Sequence, residues 1–471
     1  MKGDNCVFGI IGLGTMGRNL LLNMADHDFK VAGLDKDTTK SGLLSKESNR
    51  TNVTGYTSAA EFIDSLKKPR AIMMLVPAGK IVDDVIAELT PLLDKGDLII
   101  DGGNSHFTDT NRRVEELKQK GLHFFGMGIS GGEEGARKGP SMMPGGDPEA
   151  YKVVQSIFES VAAKVNGDPC VTYIGPGASG HFVKMVHNGI EYGMMQLIAE
   201  TYEVLKKGLR LNDEKIQSTF EKWNEGRLQS FLIEITRDIL AFREKGSDHL
   251  LLNDIKDEAR AKGTGKWTSQ VAMDLQTPLS VIDAAVSMRD LSKYKSLRVK
   301  AASMYPGGDI ALQITPEEFI LLLEASLYFS FIISYSQGMH LLSQASNEYK
   351  YALKLDRIAQ IWRGGCIIRS AFLEDIFQAY KKDAGLPHLL LDENVQKIIN
   401  SLLPAARTVL STAIRSGIAL PAFTSALSYF DSFRSERMPS NLIQAQRDYF
   451  GAHTYERIGK EGVFHTQWLT K

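Results

Sequence analysis

The chain has 471 residues, too many for one ordinary hydrophobic core, so two or three domains are expected. With 43% apolar and 24% charged residues and a net charge of -1, it has a globular composition without the basic excess of a general nucleic-acid binder. Its three cysteines, Cys6, Cys170 and Cys366, are widely spaced, which excludes a disulfide framework and a CxxC metal site and fits a reducing cytoplasm.

The start, MKGDN, runs directly into a strand-like run instead of the helical apolar region of a signal peptide. That run, Cys6–Ile11, leads into Gly12-Leu13-Gly14-Thr15-Met16-Gly17 and then a helical pattern through Met24. Strand, GxGxxG and helix together form a dinucleotide-binding fingerprint. The glycines permit a tight turn and close approach of a pyrophosphate, and the helix N-terminus supplies free N–H groups. Lys30–Leu34 reads as the second strand and ends in Asp35-Lys36-Asp37. Asp35 stands close to where an acid holds the adenine ribose hydroxyls. Two carboxylates repel a ribose 2′-phosphate, whereas Lys36 attracts one.

Ala71–Val76 and Leu98–Ile100 are apolar runs suited to parallel strands covered on both faces. The loops after them hold Pro77-Ala78-Gly79 and Gly102-Gly103-Asn104, where an open α/β sheet binds its ligands. His123–Met127 reads as a further strand that opens into a long glycine-rich loop, Gly128 to Gly146. There Ser130, Gly131 and Gly132 can present a hydroxyl and bare N–H groups to an anion. Asp147–Ser160 reads as helix, Val171–Ile174 as a last strand, and the glycine-rich 175–180 as a domain boundary.

The stretch His181–Tyr192 reads as a largely buried helix. Lys184, His187, Asn188 and Glu191 fall at i, i+3, i+4 and i+7 and share one face, while the other faces are apolar. That polar stripe implies an enclosed, wet cleft holding a potential base and a potential acid. Gly189 and Gly193 permit close approach of another backbone or a ligand. Beyond it the pattern is helix after helix to about Phe433: Leu197–Gly208, Asn212–Trp223, Leu228–Glu244, Ser280–Lys300, Thr315–Asn347 and Gln396–Ser416. Ala325–Asn347 lacks Asp, Glu, Lys and Arg, but its serines, glutamines and His340 make it a buried helix and not a membrane span. Its Tyr335–Gly338 segment echoes Glu191–Gly193, a hint of duplication. Lys262–Trp267 is a glycine-rich basic turn without Walker A spacing, and Arg289 lies in a helical stretch beyond it. The aromatic tail from Ser440 is suited to docking on a partner surface.

Five separated blocks carry a family resemblance: IIDGGNS at 99–105, GISGGEEGARKGPSMMPGG at 128–146, KMVHNGIEYG at 184–193, KGTGKWT at 262–268 and QAQRDYFGAHTYE at 444–456. In these the chain resembles the 6-phosphogluconate dehydrogenase family, decarboxylating enzymes of the pentose phosphate pathway. The resemblance implies an α/β Rossmann-like dinucleotide-binding domain (1–177), a large all-α substrate and dimerisation domain (178–434), and a tail (435–471) reaching the partner subunit of a cytoplasmic homodimer. It implies Lys184 as general base and Glu191 as acid, with 6-phosphogluconate held by Asn104, Ser130, Gly131, Gly132, His187, Asn188, Tyr192, Lys262, Arg289, Arg447 and His453. It implies a cofactor against residues 12–17, 35–37, Val76, Pro77, Ala78, Gly79 and Asn104, and no metal.

Two departures bear on that cofactor. NADP is the family expectation, usually with Asn-Arg-Thr after the second strand and Lys-Ala-Gly in the later loop. Here these read Asp35-Lys36-Asp37 and Pro77-Ala78-Gly79, which suggests NAD. A non-decarboxylating 3-hydroxyacid dehydrogenase leaves the KGTGKW block and the tail without purpose. A non-catalytic dinucleotide-binding regulator is expected to lack Lys184 or Glu191.

Overall fold

The computed structural model of the chain describes residues 5–48, 51–305, 307, 311, 312 and 314–469. Residues 1–4 of the expected leaderless start and the last two residues of the tail lie outside it. Short apolar runs build a seven-stranded sheet: β1 (Phe8–Ile11), β2 (Val31–Leu34), β3 (Val53–Tyr56), β4 (Ala71–Met74), β5 (Leu98–Asp101), β6 (His123–Ser130) and β7 (Ser141–Gly146). Their order is β3-β2-β1-β4-β5-β6-β7, parallel through β6. Every residue of β1, β2, β4 and β5 is buried, as in a parallel sheet with helices on both faces. The crossovers carry α1 (Thr15–Asp26), α2 (Thr38–Glu47), α3 (Ala59–Asp64), α4 (Lys80–Leu89) and α5 (Phe107–Gln119).

The stretch 128–146 is not the long loop expected of it. It continues β6, forms α6 (Gly132–Lys138) and returns as β7, antiparallel to β6, before α7 (Pro148–Val161). Most of its glycines serve close packing. α8 (Ser179–Glu203) lies directly on this pair, and a Cβ on Gly128 would stand 2.3 Å from Cβ of Lys184. The expected strand at Val171–Ile174 is not regular either. After the small hairpin β8 (Lys164–Val165) and β9 (Asp168–Pro169), it runs along the edge of β7. There it takes bonds from Met142 N to Cys170 O and from its own Ile174 N to Pro144 O, without a full ladder.

α8 leads into a helical body of α9 (Asp213–Asn224), α10 (Phe231–Ala241), α11 (Thr264–Asp274), α12 (Ser280–Ser292), α13 (Lys295–Met304), α14 (Pro316–Glu348), α15 (Leu355–Trp362), α16 (Phe372–Lys382), α17 (Glu393–Arg415) and α18 (Pro421–Phe433). The single helix expected over 280–300 is broken after Ser292. Its carbonyl accepts from the Arg298 guanidinium at 3.1 Å, and Arg298 also pairs with Asp257 at 2.9 Å, so a side chain caps the end of α12. α14 is long and apolar enough to cross a membrane, yet 78% of its apolar window is buried, as a core helix requires. It packs on α8 where Ile190 faces Gly338 and Ser334 faces Gly193. The largest apolar core extends from these helices to Phe107, Met143, Cys170 and Ile174, so the sheet and the helical body share it.

The tail folds as α19 (Ser440–Gly451) and the hairpin β10 (Tyr455–Arg457) and β11 (Lys460–Phe464), organised on Asp448. That carboxylate is fully covered and accepts from Thr454 N, Thr466 N, His465 and Trp468 Nε1. Burial alone would raise its pKa, but these donors outweigh it and hold it at about 2.

Candidate active site

α8 is rooted by His181, whose ring meets Thr110 Oγ1 at 2.7 Å and the Asp101 carbonyl at 3.0 Å. Asp101, at the end of β5, also accepts from Ser105 Oγ and the Gly103 amide, fixing the turn that carries Asn104. One turn beyond His181, Lys184 lies with its stem across the bare backbone of Gly128 and is 6% exposed. Its Nζ stands 3.3 Å from Nδ1 of His187, and that nitrogen is 3.2 Å from Asn188 Oδ1. Nε2 of His187 meets Ser130 Oγ at 3.2 Å, and Ser130 Oγ accepts from the Ile367 amide. Three of the four residues of the expected polar stripe, Lys184, His187 and Asn188, are thus linked in one line of polar contacts that continues to Ser130.

Its electrostatics follow from burial. Removal from water pushes the Lys184 ammonium below the usual lysine range, partly opposed by the Glu191 charge. Burial and the Lys184 charge keep His187 well below the usual histidine range, so it is neutral. Burial pushes Glu191 above the usual carboxylate range against the pull of Lys184 and Arg289. An amine poised toward its free base and a carboxyl poised toward its acid are about 10 Å apart along one helix, seven residues at 1.5 Å each. Arg289 lies over the Tyr192 ring with its guanidinium carbon 3.5 Å from the centroid, next to Glu191 in the chain.

The expected cofactor residues gather around two adjoining cavities. Met16, Val76, Pro77, Ala78, Gly79, Asn104 and Lys262 line one of about 690 Å³, which Ile129 of β6 closes beside Gly128 and Ser130. Gly12, Asp35, Lys36 and Val76 line another of about 340 Å³. A dinucleotide fits this frame. Gly12 has φ +94°, and a Cβ there would be 2.5 Å from the Leu75 carbonyl. Gly14, which caps α1, spends no side chain on the first-turn amides, leaving those before Thr15 and Gly17 for a pyrophosphate. The amide of Leu13 donates to Asp35 at 2.9 Å. Asp37 instead caps α2 through the Thr39 amide and stands outside the cavity lining.

Lys262-Gly-Thr-Gly-Lys-Trp is not a free turn. Gly263, at φ +102°, opens α11, and Thr268 bonds its hydroxyl to the Met185 carbonyl of α8 at 2.9 Å. Gly131 (φ +120°) and the exposed Gly132 follow Ser130 at the start of α6. Arg447 and His453 do not join this cluster. Both are exposed on the tail, Arg447 bonded to Gln444 and His453 against the Phe450 ring. Sequence reasoning missed His106 and Trp267, whose rings meet at 5.0 Å across the larger cavity, and the loop at Ile367. Ile367 is 237 residues from Ser130, so no local signal pairs them. Among the described residues no group of three or more His, Cys, Asp or Glu could hold a metal ion.

A glycine-turn nucleotide sheet beside a buried lysine and carboxyl on one helix defines a pyridine-nucleotide-dependent oxidoreductase. The chain belongs to the 6-phosphogluconate dehydrogenase family. The profile for the NAD binding domain of 6-phosphogluconate dehydrogenase matches residues 7–175, and that for its C-terminal domain matches 180–468. The decarboxylating 6-phosphogluconate dehydrogenase of Lactococcus lactis (strain IL1403) is 50% identical over 98% of this chain and 99% of its own. The NADP(+)-dependent decarboxylating enzyme of Bacillus subtilis is 49% identical over 98% of both chains. The Plasmodium falciparum 6-phosphogluconate dehydrogenase, solved apo, with NADP+ and with 6-phosphogluconate, superposes with a TM-score of 0.95. It is 45% identical, covering 98% of this chain and 100% of that one.

Proposed function

We propose that this chain oxidatively decarboxylates 6-phospho-D-gluconate to D-ribulose 5-phosphate and CO2, reducing NADP or NAD in the pentose phosphate pathway. The observation that carries the reading is the α8 stripe, where burial moves the lysine down and the carboxyl up.

Lys184, as free base, takes the proton of the C3 hydroxyl as C3 is oxidised. The bound nicotinamide supplies the hydride acceptor. His187, neutral and held by Ser130 and Asn188, keeps Lys184 from gaining a second cation beside it. The resulting 3-keto acid has its carbonyl β to the carboxylate, so CO2 departs with the electrons flowing into an enol. Lys184, now an ammonium, donates to the oxyanion that develops on C3. Glu191 then protonates the carbon that carried the carboxylate, giving ribulose 5-phosphate. Asn104, Ser130, Gly131, Gly132, Asn188 and Tyr192 hold the sugar acid, and Lys262 and Arg289 meet its phosphate.

Arg447 and His453 complete the site from the tail of the other subunit in a homodimer. Supporting this, α13 buries none of its residues within one chain, and the tail leaves Leu442, Ile443 and Phe450 at least 60% exposed. We further assign residues 1–177 to cofactor binding, 178–434 to substrate binding and dimerisation, and 435–471 to the exchanged arm, in a cytoplasmic enzyme with no membrane or nucleic-acid partner. The test is dinucleotide reduction by purified protein with 6-phosphogluconate, measured together with CO2 release. Equal amounts of both products are expected. Reduction without CO2 would make it a plain hydroxyacid dehydrogenase, and neither product from folded dimer would make it a regulator.

A further inference from the structure

The smaller cavity at the end of β2, where the adenosine ribose of the cofactor proposed above would lie, is lined by three carboxylates, Asp35, Asp84 and Glu88, against one ammonium, Lys36. Both oxygens of Asp35 are pinned by backbone: Oδ2 accepts from Leu13 N at 2.9 Å and Oδ1 from Asp37 N at 3.0 Å. It cannot swing away from an incoming group. α4 faces this corner with Lys80, Asp84 and Glu88, each four residues apart on one stripe. Lys36 is bound to Glu88 at 3.0 Å and Lys80 to Asp84 at 2.5 Å. Lys40, behind β2, is shared between Asp35 and Asp37 at 3.6 and 4.0 Å. Every lysine at this corner therefore already faces a carboxylate, and among the described residues no arginine lines the cavity.

A ribose 2′-hydroxyl can donate to a fixed carboxylate, whereas a 2′-phosphate brings about two further negative charges to the same spot. We propose that Glu88 is a specificity-determining residue: with Asp35 it occupies the cavity's lysine and makes the site read a free 2′-hydroxyl, so the chain takes NAD in preference to NADP. Asp35 supplies the acceptor, and Glu88 withholds the cation that a phosphate would need. The pair lies at the rim, so its effect is one of local charge and weakens with salt.

The test is equilibrium binding of NAD and of NADP to the full-length protein, followed by calorimetry at low and high salt. The wild type should bind NAD about tenfold more tightly. Glu88→Gln should lower the ratio of the NADP to the NAD dissociation constant about fivefold, and Glu88→Lys should lower it further. The gain should vanish in the double variant Lys36→Ala/Glu88→Gln and shrink at high salt. A wild type that binds NADP as tightly as NAD, or a ratio unmoved in Glu88→Gln, overturns the inference. Sugar-acid oxidation with either dinucleotide would still stand in that case. Failure of both dinucleotides to bind would instead overturn the cofactor site itself.

Discussion

At the scale of single residues, the two groups on the α8 stripe are poised in opposite directions, and this sets how turnover responds to pH. Lys184 must shed a proton to act, so kcat/KM should rise as pH climbs through its depressed pKa. Glu191 must hold a proton, so turnover should fall as pH climbs through its elevated pKa. A bell-shaped profile is expected, and Glu191→Gln should lose its alkaline limb. Lys184→Ala and Glu191→Gln should each cut kcat by about 10²- to 10⁴-fold while KM for the sugar acid moves little. Steady-state kinetics would contradict these roles if either variant kept near-normal kcat. These residues were legible in the chain because helix periodicity alone puts 184, 187, 188 and 191 on one face. His106 and Trp267 were not, although they follow Asn104 and Lys262 closely in the chain, because an aromatic ring carries no sequence sign of the cavity it lines; Ile367 was not, because only tertiary packing brings it to Ser130, 237 residues away.

At the scale of elements, α8 is held at both ends, by contacts of unequal kinds. Near its C-terminus the buried Glu200 accepts from the Ala422 and Phe423 amides that open α18, at 2.9 and 3.2 Å. Burial wins over those donors and raises its pKa to about 7. The folded state thus binds this proton more tightly than the unfolded chain does. The contribution is complete below the ordinary value of 4.5 and is lost as pH rises through about 7, amounting to about 3 kcal/mol. Glu200→Gln keeps an acceptor and removes the titration. Its melting temperature should match the parent near pH 5 and exceed it near pH 8; a constant difference across that range would refute the assignment. Near the N-terminus the contact is steric. Gly128→Ala should destabilise the fold by about 1–3 kcal/mol and lower activity, since its Cβ has no room beside Lys184. This contact also explains where sequence reading fell short. Glycine density in 128–146 resembles a flexible loop, because composition cannot separate glycines that bend from glycines that let a helix come close. The edge strand Val53–Tyr56 escaped notice because only its first residue is buried, so it carries almost no apolar signal.

At the scale of the whole molecule, the parallel strands and the run of helices were legible from apolar periodicity, but the arm exchange proposed above was not. The arm proposal has a direct test. Lys184→Ala and Arg447→Ala subunits should each be inactive alone. Unfolded and refolded together, they should regain about a quarter of wild-type activity, because half the dimers are mixed and each mixed dimer has one intact site. No recovery would place Arg447 in its own subunit's site. The shared core predicts that calorimetry will show a single transition for the sheet and the helical body.

That shared helix also limits how such a chain can be recombined. The first turns of α8 sit in a cradle made by Gly128 and Gly145, while its later turns are bedded among helices from the other half. Cutting the chain near residue 177 therefore divides a socket from its peg. A nucleotide-binding half borrowed from a distant dehydrogenase would join cleanly in sequence. It would still fail as a graft unless it brought the bare backbone on which the lysine rests.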